Sequence, residues 1–282
     1  MTSPLTSVSG HLVAIGGAED RTSELEILRR VFALAPADNH EVAVIATASS
    51  IPDEVLPDYE AAFSRLGASR VHSLSIRDRR QAADPDTVRL IEQSGVIFLT
   101  GGDQLRLTNV MGGSATLEAI RQRLQAGAVV AGTSAGAAAM PGTMIYNGAA
   151  ADALRKGAVN MTSGLGLVRG MIIDSHFLER GRFTRLMEVG ASNPEHLGVG
   201  IGEDAAVIIH PHGILEAIGS GHVIIIDSRD LASSNIADLS IGEPVAVENM
   251  TLHAMVSGHG FDVMARRYLI AEELSAILAE RQ

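Results

Sequence analysis

Residues 129–140 read VVAGTSAGAAAM, an apolar run that meets a turn of small residues with one serine, Ser134, at its centre. Residues 132–136 fit the G-x-S-x-G pattern of a nucleophile elbow, where a sharp strand-to-helix turn holds a serine hydroxyl above a sheet. The helix that follows such a turn directs backbone N–H groups at a developing oxyanion. A packing turn is the alternative, because glycine and alanine are abundant in this chain. The predicted strand before the turn and the helix after it favour the nucleophile.

A serine nucleophile needs a base within hydrogen-bonding reach, and His176 is the candidate that stands out among the 10 histidines. It follows an apolar run that ends in Asp174 and Ser175. The alternative is that His176 is an ordinary loop residue before a helix, since Asp174 or Ser175 could serve as the N-cap of that helix. A third group must orient the imidazole, and Glu203 and Asp204 stand together between two apolar runs. A histidine partner would account for an acid in such apolar surroundings.

The order of these candidates along the chain is serine, histidine, acid. It differs from the serine, acid, histidine order of the α/β-hydrolases, so an ordinary lipase or esterase is disfavoured. Two other histidines, His210 and His212, flank Pro211 in a predicted hairpin turn. A metal site there would need a third ligand that the sequence does not identify.

Three arginines, Arg180, Arg182 and Arg185, follow the candidate base. On an ideal helix Arg182 and Arg185 share a face, whereas Arg180 points elsewhere. They form either a solvated basic face or a clamp for substrate carboxylates, which guanidinium groups bind through two hydrogen bonds. Because the protein is acidic overall, the clamp is the hypothesis that deserves a test.

The elements around these residues alternate in the first half of the chain. Five apolar runs separated by helical patterns predict strands, at residues 11–17, 41–49, 69–76, 95–104 and 128–136. Continuous apolar runs of this kind are typical of a parallel sheet covered on both faces. Residues 197–228 show short apolar runs between glycine turns, which predict antiparallel hairpins added to the sheet, and residues 271–282 predict a closing helix. We therefore expect an α/β protein with a doubly wound, mostly parallel sheet and an antiparallel C-terminal extension.

Ligands of such sheets lie beyond the carboxyl ends of the strands. TGGDQ at 100–104 and GTSAG at 132–136 both fall at predicted strand ends, so we expect them to face one crevice. No linker divides the 282 residues, which predicts a single domain over 1–282.

The composition narrows the function classes. A formal net charge of −11 disfavours nucleic-acid binding, which depends on Lys and Arg contacts to phosphates. The absence of cysteine rules out thiolate metal sites and a cysteine nucleophile. The first residues lack a signal-peptide pattern and no apolar run is long enough to cross a bilayer. We expect a cytoplasmic protein without membrane contact.

Six motifs, in this order, resemble the cyanophycinases, within the wider serine-peptidase family that includes peptidase E. They are IGGAED, TGGDQLRL, GTSAGA, DSHFLERGRFTRL, GIGEDAA and GFDV. The resemblance covers most of the chain and implies a flavodoxin-like core, a serine exopeptidase mechanism, no metal and no other cofactor. Cyanophycin is poly-aspartate with arginine linked to each side-chain carboxyl, and these enzymes release β-Asp-Arg dipeptides from one end.

Carried over onto this sequence, the resemblance implies that Ser134 is the nucleophile, His176 the base and Glu203 the acid that orients it. The backbone N–H groups of Gly102 and Ala135 would bind the oxyanion. The positions that hold the β-Asp-Arg unit correspond to Gln104, Asp174, Ser175, Arg180, Arg182 and Arg185. The arginines would bind free carboxylates and Asp174 the substrate guanidinium. Cyanophycinases commonly carry glutamine where Ser175 stands, so one substrate contact differs here.

Two alternatives stay open. One is a related aspartyl or isoaspartyl dipeptidase that acts on short peptides. The other is a non-catalytic protein that binds a small anion at the helix N-terminus. The family resemblance also implies a homodimer, with cyanophycin or peptides that contain β-Asp-Arg as the partner.

Overall fold

The computed structural model describes residues 9–280. Its centre is a nine-stranded sheet. Five of these strands, numbered along the chain, are β1 (Leu12–Ile15), β2 (Glu41–Ile45), β3 (Arg70–Leu74), β4 (Val96–Leu99) and β5 (Val129–Thr133). They are parallel and stand in the order β1-β5-β4-β2-β3. The parallel sheet expected from the first half of the chain is confirmed.

Four antiparallel strands extend this sheet beyond β1. They are β10 (Ala205–Ile209), β11 (Ile214–Gly219), β16 (Gly260–Asp262) and β17 (Arg267–Leu269). Each pairs antiparallel with the strand before it, starting from β1. The expected antiparallel extension is therefore present and includes one of the hairpins expected from residues 197–228.

A second sheet of four strands packs against the first. It has the order β15-β12-β9-β8 and consists of β8 (Met171–Asp174), β9 (Leu197–Ile201), β12 (Val223–Asp227) and β15 (Thr251–Met255). The prediction that all of residues 197–228 join the first sheet was wrong, because β9 and β12 lie in the second. Strands β9 and β10 are both buried along their whole length, so the apolar pattern does not tell which sheet each one joins.

Helices cover both faces of the central sheet. On one face, α1 (Glu26–Ala33) and α2 (Pro52–Arg65) share a core with the parallel strands. The other face carries the second sheet and the helices α3 (Pro85–Gln93), α4 (Gln104–Met111), α5 (Ala115–Gln125) and α6 (Ala135–Ala138), with a short 3-10 turn at Gln81–Ala83. Helix α7 (Phe183–Ser192) packs on the outer face of the second sheet. The doubly wound arrangement is confirmed.

The remaining elements are peripheral. Two small antiparallel pairs are β6 (Thr143–Asn147) with β7 (Asn160–Ser163), and β13 (Ser233–Ser234) with β14 (Val247–Glu248). The predicted closing helix is present as α8 (Ala271–Glu280), and its expected last residues, 281–282, lie outside the described residues. Among residues 9–280, no helix combines the length and the apolar composition that spanning a bilayer requires.

Candidate active site

Ser134 occupies the sharp turn between β5 and α6. Its backbone is left-handed, with φ 51° and ψ −108°, and its N–H donates to the carbonyl of Ile15 over 2.9 Å. A Cβ at Gly132 would lie 2.7 Å from the backbone of Gly136, and one at Gly136 would lie 2.3 Å from the carbonyl oxygen of Leu99. Only residues without a side chain fit these two positions, which is why the turn is built from small residues.

His176 reaches Ser134 from the second sheet. It follows β8, takes a left-handed φ of 47° and donates its N–H to the carbonyl of Gly16 over 2.8 Å. Its ring rests on the glycine turn after β1, where a Cβ at Gly17 would lie 2.3 Å from the imidazole Cε1. The absent side chain at Gly17 therefore makes room for the ring.

A continuous hydrogen-bond chain joins the three residues. Ser134 Oγ lies 2.8 Å from His176 Nε2, and His176 Nδ1 lies 2.7 Å from Glu203 Oε1. With Nδ1–H donating to the carboxylate, Nε2 is left as the acceptor for the serine hydroxyl. This tautomer allows the imidazole to take the serine proton.

The turn between β9 and β10 selects between the two candidate acids. Glu203 faces the imidazole, whereas Asp204 takes φ 47° and accepts a hydrogen bond from Ser220 Oγ. The backbone N–H of Asp204 donates to the carbonyl of Gly17 over 3.0 Å, which ties this turn to the one below His176. The backbone of this turn therefore places Glu203, and not Asp204, against the histidine.

Two backbone segments meet beside the serine. Ala135 is the first residue of α6, so its N–H has no partner within the helix. The glycine pair after β4, Gly101 and Gly102, lies against the serine, since a Cβ at Gly101 would be 3.4 Å from Cβ of Ser134. Gly102 has φ 139° and packs so closely on Ala48 that a Cβ would lie 2.1 Å from its carbonyl oxygen. The two strand ends expected to face one crevice therefore do so.

Asp174, Arg182 and Arg185 form a compact ion cluster. Asp174 accepts from Arg182 Nη1 at 3.0 Å and from Arg185 Nε and Nη2 at 2.9 and 2.7 Å. Burial, together with the neighbouring arginine charges, lowers the pKa of Arg182 despite the opposing effect of Asp174. Asp174 is only 1% exposed, so its carboxylate is occupied by these arginines and is not open to a substrate guanidinium. Its place in the structure is that of an anchor for both cations.

The other residues of the expected substrate site surround this cluster. Arg185 Nη1 donates to the carbonyl of Gly148 over 2.8 Å, and Gln104 Nε2 donates to the carbonyl of Ile145 over 3.2 Å. Ser175 is buried, and its carbonyl accepts from Arg182. Arg180 is exposed in the turn before α7, and Arg182 is the residue just before this helix. Of the three arginines expected on the helix, Arg185 alone lies within it.

A pocket beside Ser134 contains side chains that sequence reasoning missed. It has a volume of about 180 Å³ and is lined by Gly17, Ala18, Glu19, Arg21, Val55, Tyr59, Gly101, Thr133, Ser134 and His176. Glu19 accepts hydrogen bonds from the Tyr59 hydroxyl and from Thr133 Oγ1. The sequence does contain one indication of a role for Glu19. This residue follows the Gly-Gly turn at the carboxyl end of a strand, where ligands of such sheets bind.

His210 belongs to another cluster, at the opposite end of the central sheet. Its Nε2 lies 3.0 Å from Glu216 Oε2, and Glu216 also accepts from Arg30 over 2.7 Å. Burial favours a raised pKa for Glu216, but the hydrogen bond from His210 and the charge of Arg30 hold the pKa below its ordinary value. Within residues 9–280, no group of three or more His, Asp or Glu side chains is placed to hold a metal ion. His210 and His212 therefore have no third ligand among these residues.

The chain is similar in sequence to cyanophycinases. The chain is 38% identical over 272 residues to the cyanophycinase of Nostoc sp. strain PCC 7120, which covers 96% of this chain and 91% of that protein. It is 38% identical over 250 residues to the cyanophycinase of Geminocystis herdmanii, with 88% and 91% covered.

Similarity in structure extends to a more distant protein. The crystal structure of a peptidase from an acI-B1 actinobacterium superposes with a TM-score of 0.66 at 18% identity, over 91% of this chain and 98% of that one. This likeness concerns the fold. The model of peptidase family S51 matches residues 12–216, which include the serine, the histidine and the acid described above. The chain therefore belongs to peptidase family S51 and is a serine peptidase.

Proposed function

We propose that this protein is a cyanophycinase, a serine-type exopeptidase that hydrolyses the poly-aspartate backbone of cyanophycin and releases β-Asp-Arg dipeptides. The observation that carries the proposal is the hydrogen-bond chain from Ser134 through His176 to Glu203, in a protein 38% identical to cyanophycinases over nearly its full length. In this proposal the three residues act as nucleophile, base and orienting acid.

The acylation step follows from the hydrogen-bond directions. Ser134 Oγ attacks the backbone carbonyl carbon of an aspartate while its proton passes to His176 Nε2. Glu203 accepts the Nδ1–H and stabilises the imidazolium that forms. The N–H groups of Gly102 and Ala135 donate to the oxyanion of the tetrahedral intermediate. The imidazolium then gives its proton to the departing amine as the C–N bond breaks.

Deacylation repeats this chemistry with water. His176, neutral again, takes a proton from a water molecule that attacks the ester carbonyl. The tetrahedral intermediate collapses, the C–O bond to Ser134 breaks, and the proton returns from the imidazolium to the serine oxygen. Neither step needs any group beyond these side chains and the backbone.

The side chains around the ion cluster are proposed to hold the β-Asp-Arg unit. Arg180 and Arg182 present guanidinium groups for the free carboxylates of this unit, and Gln104 adds a hydrogen-bonding amide. Arg185 is buried and bonded to Asp174 and to the Gly148 carbonyl, so it supplies positive charge to the site with only its remaining N–H groups free. Asp174 contributes indirectly, because it fixes two of the guanidinium groups. Recognition of free carboxylates at the terminal unit would restrict cleavage to a chain end.

The test is incubation of the purified protein with insoluble cyanophycin, followed by mass spectrometry of the soluble products. We expect the wild type to release β-Asp-Arg and Ser134→Ala to release it about 10⁴- to 10⁶-fold more slowly. Ser64→Ala, at an exposed position of α2, is the matched control and should behave as wild type. Product release by Ser134→Ala at more than a trace rate would show that another group is the nucleophile.

A second candidate is an aspartyl or isoaspartyl dipeptidase, which Ser175 favours because cyanophycinases commonly carry a longer side chain at that position. Free dipeptides offered beside the polymer separate the two activities, since a dipeptidase would prefer the short substrates. Labelling of Ser134 by a serine-directed phosphonate separates either enzyme from a protein that only binds small anions.

Three further properties belong to the proposal. Residues 1–282 form one domain, supported by the core that both sheets share. The protein is a homodimer, as the family resemblance implies, and lies in the cytoplasm, as its sequence pattern led us to expect. Light scattering of the purified protein measures its mass in solution and tests the dimer.

A further inference from the structure

The pocket beside Ser134, called the Glu19 pocket below, lies apart from the ion cluster. Its lining includes Glu19, Arg21, Tyr59 and Thr133, but none of the residues proposed above to hold the β-Asp-Arg unit. At about 180 Å³ it is smaller than the pockets that bind drug-sized ligands, so it has room for a single side chain. Because Ser134 and His176 are part of its wall, whatever enters it lies next to the scissile bond.

The base of the pocket is a carboxylate bonded to neutral groups. Glu19 is 6% exposed and accepts from the Tyr59 hydroxyl at 2.5 Å and from Thr133 Oγ1 at 2.6 Å. Among the described residues it has no cation within salt-bridge distance. Burial and the charge of Glu19 together raise the pKa of Tyr59 well above its ordinary value, so the tyrosine stays a neutral donor.

A buried carboxylate with two neutral donors has both a reason and the capacity to bind a cation. Burial of an ionised carboxylate is costly unless an opposite charge compensates it. A carboxylate also offers about four lone-pair sites, of which Tyr59 and Thr133 use two. The remaining sites of Glu19 can accept hydrogen bonds from a cationic group that enters the pocket.

Arg21 gives the pocket a positive rim. Its guanidinium lies 5.3 Å from the centre of the Tyr59 ring, and its Nη1 lies 3.3 Å from Asp58 Oδ2. Both side chains of this ion pair are well exposed, so the pair is weak and Arg21 can turn toward a ligand. The Glu19 pocket therefore offers an acid at its base and a cation at its rim.

We propose that the Glu19 pocket is an arginine subsite, in which Glu19 binds the guanidinium and Arg21 the carboxylate of an arginine next to the scissile bond. The inference rests on the proposed function, because each arginine of a β-Asp-Arg unit is linked through its amine and keeps its carboxylate free. Such an arginine has opposite charges at its two ends, which matches the pocket. Two units, one at the ion cluster and one at the Glu19 pocket, are then held on either side of Ser134.

Binding to the Ser134→Ala variant tests the subsite without any need for hydrolysis. Calorimetric titration compares Nα-acetylarginine, which has the blocked amine and free carboxylate, with neutral Nα-acetylcitrulline. We expect a preference for the arginine compound, and about tenfold or more weaker binding of it when Glu19→Gln is added, since a hydrogen bond between charged groups is lost. Glu24→Gln, an exposed acid in the same segment, is the matched control and keeps the preference.

Two variants separate recognition from support of the fold. Tyr59→Phe and Thr133→Val each remove one neutral partner but keep the Glu19 carboxylate, so both should keep the arginine preference. Melting temperatures report whether each variant is folded. An unchanged preference in Glu19→Gln, or an equal loss in Glu19→Gln and Tyr59→Phe, would overturn the subsite.

Hydrolysis of a defined peptide locates the subsite along the substrate. The substrates are trimers of β-Asp-Arg in which citrulline replaces arginine in one unit flanking the scissile bond at a time. We expect the wild type to discriminate against citrulline about tenfold in kcat/KM at the unit that occupies the pocket, and Glu19→Gln to lose this discrimination. If the wild type binds acetylarginine through Glu19 but cleaves no trimer, the proposed function fails and the subsite stands. If it cleaves trimers with a preference that Glu19→Gln retains, the subsite fails and the function stands.

Discussion

The two ends of the central sheet each carry a histidine bonded to a glutamate. His176 and Glu203 lie where the parallel strands end, with 2.7 Å between Nδ1 and the carboxylate. His210 and Glu216 lie where the parallel strands begin, with 3.0 Å between Nε2 and the carboxylate. The pairs are similar in chemistry and distance, but only the first faces a serine hydroxyl.

The difference lies in the backbone around each pair. In the turns next to the His176 pair, four residues other than glycine have left-handed φ angles: Ala18 at 53°, Ser134 at 51°, His176 at 47° and Asp204 at 47°. Such conformations cost about 1–3 kcal/mol each and persist only where the surrounding structure imposes them. In the described residues 206–217 around the other pair, only Gly213 has a left-handed φ. Strained turns therefore aim the free nitrogen of the first pair at a serine hydroxyl, which is the arrangement that the proposed mechanism requires.

The largest expected effect is the difference in kcat between the variants that remove His176 and His210. His176→Ala should lower kcat about 10⁴- to 10⁶-fold, because the serine loses its base. His210→Ala should leave kcat within about twofold of wild type, although it removes a similar ion pair. Hydrolysis assays of both variants measure the contrast, and a comparable loss in the two would show that the distant pair also takes part in catalysis.

A smaller effect is expected from crowding the imidazole. In Gly17→Ala the new Cβ meets the His176 ring, and displacement of a reacting group by about 1 Å can cost about 10²-fold in rate. Gly67→Ala is the matched control, because Gly67 has φ 98° against 111° at Gly17 but no atom within 4 Å of the new Cβ. Both variants should lose stability because alanine is strained at a positive φ, and Gly17→Ala should lose more because of the added contact, while only Gly17→Ala loses activity. Equal rates in the two would contradict the packing argument.

The smallest effect concerns His11, beside His210. Burial, together with the charge of His210, lowers the pKa of His11 from 6.5 to about 4, while the charge of Glu216 opposes this shift. The unfolded chain therefore binds a proton between about pH 6.5 and 4 that the folded chain does not. The stability contributed by neutral His11 is complete above this range and is lost as the pH falls through it.

Replacing His11 removes this pH dependence. Between pH 7 and pH 5, the Tm of the wild type should fall about 2–4 °C further than that of His11→Gln, which corresponds to about 1 kcal/mol once the partial exposure of the ring is allowed for. The activity of folded His11→Gln should equal that of wild type. If the Tm values of the two proteins fell by equal amounts between pH 7 and pH 5, His11 would titrate normally in the folded protein.

Short sequence patterns predicted the strands, the helices and the Ser134 turn. Features that depend on contacts between residues distant in sequence could not be predicted in this way. The Ser134 turn was predictable because its small residues lie between a strand and a helix in one short stretch. The role of Glu19 was not, because its partners Tyr59 and Thr133 are 40 and 114 positions away. Likewise, neighbouring Glu203 and Asp204 have the same apolar surroundings in sequence, and only the turn geometry distinguishes them.

If Ser134, His176 and Glu203 act as proposed, the second sheet also determines when a newly made chain becomes reactive. Ser134 follows a strand of the first sheet, His176 follows a strand of the second, and Glu203 lies where the chain crosses between them. A nascent chain that ends before residue 170 has a serine without a base. The ribosome must release the chain well beyond Glu203, and the second sheet must dock, before the serine can be activated. Under the proposed mechanism, peptidase activity therefore requires a chain that extends past Glu203 and has both sheets packed together.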